Sequence, residues 1–128
     1  MLTRILIVDD SSAMRAFLRA TLEECDDLEV QEAENGFQAL KLLPRGEFDL
    51  VIVDINMPDI NGLELISFMR RIEKYRETPL LIVSTEGSEQ TRSRGMALGA
   101  NAYLQKPFTA EALQKIVADM RGKQRGKD

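Results

Sequence analysis

The chain of 128 residues contains no histidine, no tryptophan and a single cysteine. Each absence closes off chemistry. Without histidine there is no Ser-His-Asp or Cys-His catalysis and no imidazole ligand for a metal. One cysteine forms neither an internal disulfide nor a Cys-rich zinc site. With no leader-like apolar stretch after Met1, a reducing, cytoplasmic setting is expected. No apolar run approaches the roughly 20 residues of a spanning helix, so no membrane partner is expected. Glycine-rich phosphate cradles are also missing. "DDSSAMR" (9–15) contains no glycine where a dinucleotide fingerprint would have it, and no GxxxxGK[ST] loop occurs. What remains for chemistry is carboxylates, hydroxyls, lysines and backbone.

The charge is acidic, with 17 Lys+Arg against 21 Asp+Glu and a net charge of −4. The tail "RGKQRGKD" (121–128) is basic, so residues 1–120 alone carry −7. Such a body argues against binding nucleic-acid phosphates, and no direct nucleic-acid partner is expected. The length suits one domain. We place it at residues 1–122, with 123–128 as a basic tail expected to be frayed. Cys25 reads as a packing or surface residue, because nothing near it in sequence is basic enough to activate a thiol.

Two hydrophobic periods alternate along the chain. "RILIVDD" (4–10), "LVIVD" (50–54) and "PLLIVS" (79–84) are unbroken aliphatic runs, the pattern of parallel strands buried on both faces. "LEVQEA" (28–33) alternates weakly and reads as an edge strand, and "NAYLQKP" (101–107) as a short fifth strand. Between them lie helical patterns. In 11–24, Met14, Phe17, Leu18, Thr21 and Leu22 share a face, with Ser11 or Ser12 as N-cap. A short helix over 35–46 is expected to be closed by Pro44 and Gly46. In 63–75, Leu65, Ile66, Met69 and Ile72 are expected to be buried. The segment 87–100 is the weakest helix, polar and carrying Gly95 at a cost of about 1 kcal/mol. The last helix, 109–122, has Thr109 as N-cap and Leu113, Ile116, Val117 and Met120 on one face. Strict βα alternation with five strands predicts an α/β fold. Its parallel doubly wound sheet has order 2-1-3-4-5 and is flanked by five helices.

In such a sheet the site lies beyond the carboxyl ends of the strands, near the order reversal. The first strand delivers Asp9 and Asp10 there, and the third delivers Asp54. The fourth delivers Ser84 and Thr85 with Glu86 close by, and the fifth delivers Lys106 before Pro107. Two carboxylates about 4 Å apart repel by roughly 4 kcal/mol at an effective dielectric of 20, so three together call for a cation. Mg²⁺, a hard octahedral ion that shares carboxylates with phosphate oxygens, suits such a set. A Mg²⁺-dependent phosphatase is the competing reading from another class. It is disfavoured because Ser11 stands where a second acid is needed and because the chain is short for a lid.

In order and at their spacing, "VDDS" (8–11), "DINMPDINGLEL" (54–65), "VSTEG" (83–87) and "YLQKPF" (103–108) carry a resemblance. Over residues 3–120 the sequence resembles a bacterial two-component response-regulator receiver domain, most closely the stand-alone chemotaxis, CheY-like type. The resemblance implies a flavodoxin-like fold and a phosphoryl-acceptor signalling domain rather than a multiple-turnover enzyme. It implies that Asp54 takes a phosphoryl group from the phosphohistidine of a sensor kinase. Asp10, Asp54 and the backbone carbonyl of Asn56 would ligate Mg²⁺, for which Mn²⁺ can substitute, while Asp9 orients a metal-bound water. Lys106 would pair with the phosphoryl oxygens. Ser84 and Tyr103 would act as the switch pair, with Tyr103 turning inward on activation. A cis bond is implied at Pro107.

The resemblance also places Asn56 and Glu86 over the phosphoryl group, where they would tune its hydrolysis. An output protein such as a flagellar motor switch component would read the face of the fourth helix, fifth strand and fifth helix. Arg92, Arg94 and Lys115 are candidate contacts on that face. A dedicated phosphatase is a further possible partner, and a monomer is expected. The switch position more often holds threonine in this family. Ser84 keeps the hydroxyl but has freer rotamers, so a weaker bias to the active state is expected. Because the chain ends soon after the fifth helix, the output is expected to be a binding event. A phosphorelay shuttle, a receiver cut from a DNA-binding regulator and a receiver-like adaptor stay open as alternatives.

Overall fold

A computed structural model describes residues 2–125, the last three by backbone alone. Five parallel strands form one sheet: β1 (Thr3–Val8), β2 (Leu28–Ala33), β3 (Leu50–Val53), β4 (Leu80–Ser84) and β5 (Ala102–Gln105). Their order is β2-β1-β3-β4-β5, as the alternation predicts. The connecting helices are α1 (Ser12–Leu22), α2 (Gly36–Arg45), α3 (Gly62–Arg71), α4 (Glu89–Leu98) and α5 (Ala110–Arg125). No helix among the described residues is long and apolar enough to cross a membrane.

The aliphatic runs are buried on both faces because their alternate residues feed two cores. Leu6, Val8, Val51, Val53, Leu80 and Ile82 pack with Ala39 and Leu43 of α2 and Ile66 and Met69 of α3. Ile5, Ile7, Leu50, Ile52, Leu81 and Val83 pack with Leu18 and Leu22 of α1 and Leu113, Val117 and Met120 of α5. The register then levels the strand ends. Val8 pairs with Val53, and Ser84 with Gln105. Asp9 and Asp54 therefore leave the sheet side by side, and Lys106 follows on the next strand but one.

The helix starts follow capping chemistry. Ser11 caps α1, Asn35 caps α2 and Ser88 caps α4. Asn61 and Glu64 form a reciprocal capping box on α3. The Thr109 hydroxyl accepts from the Ala112 N–H at the start of α5.

Several local expectations need correction. Phe17 is 37% exposed: Leu18, Thr21 and Leu22 of α1 are buried and Met14 packs against the same core, while the Phe17 ring lies 5.8 Å from that of Phe108. Pro44 does not close α2. It sits in the last turn, where its missing N–H removes a single rung, and the helix ends at Gly46, whose N–H reaches the Leu42 carbonyl. The third helix stops at Arg71, and Ile72 leaves it in extended conformation before a 3₁₀ turn, Glu73–Tyr75. That turn buries Tyr75, whose hydroxyl sits 2.6 Å from the Leu43 carbonyl and 2.8 Å from that of Gly46.

The weak fourth helix does form, and Gly95 has a packing reason. A Cβ there would lie 2.5 Å from Cδ1 of Ile82, so the glycine lets α4 close on β4. Gly99 then ends the helix at φ +120°, a conformation that side chains disfavour. The backbone of α5 runs to Arg125, past the boundary set at 122. The rest of the basic tail, 126–128, lies outside the described residues.

Candidate functional site

The first and third strands end on acids as their ladders run out. Asp9 is fully buried, Asp54 nearly so, and Asp10 is exposed. One carboxylate oxygen from each lies within 4.8 Å of the others. Lys106 reaches into this group from the end of β5. Its Nζ stands 3.0 Å from Oδ2 of Asp9 and 3.7 Å from Oδ2 of Asp54. The Lys106–Pro107 peptide bond is cis.

The Asp54 carboxyl is pushed up to about 6, chiefly by burial and further by the charges of Asp9 and Asp10. The Lys106 ammonium and the Asn56 N–H pull the other way without cancelling the rise. Among the described residues Lys106 is the ammonium in contact with this group, and it touches Asp9 and Asp54, so three acids are left short of positive charge. Each donor is a hard oxygen and the set opens to solvent at Asp10. This is the donor chemistry that Mg²⁺ accepts.

A second network lies beside the acids. Ser84 is fully buried, its hydroxyl accepts from the Glu86 N–H at 3.2 Å, and its carbonyl accepts from the Lys106 N–H at 2.8 Å. The Tyr103 hydroxyl donates to the Glu86 carbonyl. Burial raises the Tyr103 phenol above its usual range, partly offset by the Ser84 hydroxyl. The Tyr103 ring is already buried, with the Arg92 guanidinium 5.7 Å from its centroid. Glu86 takes part through its backbone, and its side chain is exposed. Asn56 is exposed; its N–H approaches Oδ1 of Asp54 at 3.4 Å and its amide reaches the Thr85 hydroxyl at 3.5 Å. Arg94 and Lys115 are exposed.

The structure thus gathers Asp9, Asp10, Asp54 and Lys106 into one cluster. It joins Ser84, Glu86 and Tyr103 into another, and the backbone contact between Lys106 and Ser84 links the two. Sequence reasoning missed Arg15, whose guanidinium donates to the Asp9 carbonyl at 2.8 Å. It also missed the contact between Thr85 and Asn56. The hydrophobic period gives no sign of either, since both side chains are polar and their partners lie on other elements.

Comparison with known proteins agrees with this geometry. Residues 5–118 match the family described as response regulator receiver domain. The chain is 39% identical over 120 residues to a chemotaxis protein CheY homolog of Campylobacter jejuni, covering 93% of this chain and 92% of that one. It is 36% identical over 113 residues to chemotaxis protein CheY1 of Helicobacter pylori, covering 88% and 91%. Among solved structures, CheY4 of Vibrio cholerae superposes with a TM-score of 0.89 at 35% identity, covering 94% of this chain and 99% of that one. The acid cluster, the sheet order and these likenesses agree, and the chain belongs to the response regulator receiver domain family, a signalling family of two-component systems.

Proposed function

We propose that this chain is a response-regulator receiver that accepts a phosphoryl group on Asp54 from a sensor histidine kinase. The receiver unit spans residues 1–122. The observation that carries the reading is the cluster itself: three carboxylates within 4.8 Å of one another, with Lys106 touching the two buried ones. A purely structural cluster would be balanced by cations. This one holds the Asp54 carboxyl up at about 6 and is left short of positive charge.

Asp9, Asp10, Asp54 and the Asn56 carbonyl would hold Mg²⁺, or Mn²⁺ in its place. When bound, the metal would neutralise charge on the acids and on the transferred phosphoryl oxygens. An Asp54 oxygen forms the new P–O bond as the P–N bond of the phosphohistidine breaks, and the electron pair leaves with the imidazole nitrogen. Lys106, beside Asp54, offers an ammonium to the phosphoryl oxygens, and no dedicated acid or base is required. Positioning and electrostatics suffice, which is why a chain without histidine can serve as acceptor.

The signal would leave through the second network. A phosphoryl group on Asp54 replaces a carboxylate by an acyl phosphate that carries about −1.5 to −2 charges in all and three acceptor oxygens. Drawing the Ser84 hydroxyl toward it redistributes the bonds among Ser84, Glu86 and Tyr103. The face of α4, β5 and α5 would then favour binding of an output protein. Asn56 and Glu86 stand at the rim, where they would set the rate of phosphate loss. The names of the relatives support a chemotaxis pathway; the output partner would be a protein such as a flagellar motor switch component. Intact mass after incubation with Mg²⁺ and a small acyl phosphate tests the reading. One added phosphate is expected, lost in Asp54→Asn and after chelation. Repeated turnover of the acyl phosphate without a stable adduct, even in Asp54→Asn, would point to a phosphatase instead.

A further inference from the structure

The acid cluster is braced from behind by a residue that the proposed chemistry does not use. Every polar group of Asp9 is tied down. Its N–H donates to the Ala33 carbonyl at 3.2 Å. Its Oδ1 accepts from the Ser11 N–H at 2.9 Å, and its Oδ2 from Lys106 at 3.0 Å. Its carbonyl accepts from Nη1 of Arg15 at 2.8 Å. Arg15 lies in the first turn of α1 and reaches back across the strand-to-helix turn. The same guanidinium donates from Nε to Glu32 at 3.0 Å, and its side chain is only 14% exposed. Glu32 belongs to β2, in register with Ile7 of β1, and its other oxygen takes Nε of Arg19 at 2.5 Å.

The geometry points to Arg15 as a positioning residue for the metal-binding acids: held by Glu32, it fixes the Asp9–Asp10 peptide. The inference deepens the function proposed above and rests on that reading. Asp10 is exposed and follows the end of the β1 ladder, yet its carboxylate must stay within reach of those of Asp9 and Asp54 against their repulsion. The peptide unit is planar, so a fixed Asp9 carbonyl fixes the direction in which Asp10 departs. A guanidinium is planar too, with donors on separate edges. Glu32 on Nε therefore sets the plane that brings Nη1 onto the carbonyl. The charge of Arg15 is engaged by Glu32, so it acts through position. Lysine, with a single ammonium and no fixed plane, cannot serve both acceptors.

Calorimetric titration with Mg²⁺ on wild type, Arg15→Lys, Arg15→Gln and Arg19→Gln, with a melting curve for each, tests this. Both Arg15 variants should bind Mg²⁺ about tenfold more weakly, the scale typical of supports behind metal ligands. Arg19→Gln removes a contact to the same Glu32 without touching Asp9. It should lower Tm comparably and change Mg²⁺ affinity less than about twofold, within the scatter of independent sites. In metal-free protein, the amide resonances of Asp10 and Ser11 should move or broaden in the Arg15 variants only. Phosphoryl uptake from an acyl phosphate by those variants should recover as Mg²⁺ is raised. Arg15 variants that bind Mg²⁺ like wild type while melting lower would overturn the inference, leaving Arg15 as a fastener of α1 to β2. The wild-type titration checks the metal reading separately. If wild type binds none, that reading fails, and the amide resonances alone decide whether Arg15 orders the peptide.

Discussion

Asp54 follows β3 and Glu32 lies in β2, with β1 between them, and their surroundings push them in opposite directions. Asp54 is buried among two other acids with one ammonium nearby, and its carboxyl rises to about 6. Glu32 is bracketed by Arg19 and Arg15, and its carboxyl falls below the usual glutamate range. The balance of cations to anions differs between them: one lysine stands beside three acids in the first, whereas two arginines hold Glu32 in the second, one of them shared with Glu23. Glu32 is satisfied by its neighbours and serves the architecture. The acid cluster is not satisfied, and that deficit suits a site that takes up a metal and a phosphoryl group.

The largest way to break this contrast is to remove the ammonium that the two buried acids share. Lys106→Met should slow phosphoryl uptake from an acyl phosphate by about 100-fold or more, the usual cost of losing a placed electrostatic stabiliser. Arg19→Gln, which loses contacts to Glu32 and Glu23 but to none of the three clustered acids, should leave uptake within about twofold. A time course of intact mass at fixed Mg²⁺ measures both. Equal rates for the two variants would mean that Lys106 does no more for the reaction than a surface ion pair.

Next in size is the stability cost of Asp54 itself. Its folded pKa of about 6 lies above the ordinary 3.8. The folded state therefore holds the proton more tightly than the unfolded state does. Below pH 3.8 the acid costs nothing on this account; the cost grows as pH rises toward 6 and is complete above it. In metal-free protein, Asp54→Asn should thus stabilise the fold by on the order of 2 kcal/mol at pH 7.5 and by almost nothing at pH 3.5. Urea unfolding at the two pH values reads the difference. A gain of the same size at both would trace the effect to packing and not to charge.

The contrast also explains what could be read from the sequence. The acid cluster was legible because unbroken aliphatic runs stop on acids, and parallel order brings such ends together. "RILIVDD" and "LVIVD" state both facts within a few residues. Lys106 was legible for the same reason, at the end of the fifth strand. The satisfied acid was not. Glu32 finds Arg15 seventeen positions earlier, and only the β1–β2 register sets them face to face. The turn that buries Tyr75 was hidden likewise, since its carbonyl partners belong to the end of another helix. Phe17 failed for a different reason. Period alone gave α1 a broad apolar stripe, but the narrower one of Met14, Leu18, Thr21 and Leu22 meets the core and leaves Phe17 at its edge.

The smallest effect lies on the satisfied side and carries the opposite sign with pH. Glu32 has a folded pKa lowered first by its hydrogen bond to Arg19 and then, against some burial cost, by that to Arg15. Its contribution is therefore complete above the ordinary glutamate value of 4.5 and is lost as pH falls through the lowered folded value. The Glu32 side chain keeps 29% of its exposure, so solvent screens the pair and the gain is modest. Glu32→Gln should destabilise the protein by about 0.5–1 kcal/mol at pH 7, and the loss should fade below pH 4. Asp54→Asn and Glu32→Gln would then give differences of opposite sign at neutral pH that both shrink in acid. If the Glu32→Gln loss instead stayed constant down to pH 3, the amide would be failing to fill the carboxylate's place between the two arginines. Charge would then not be what separates the two acids.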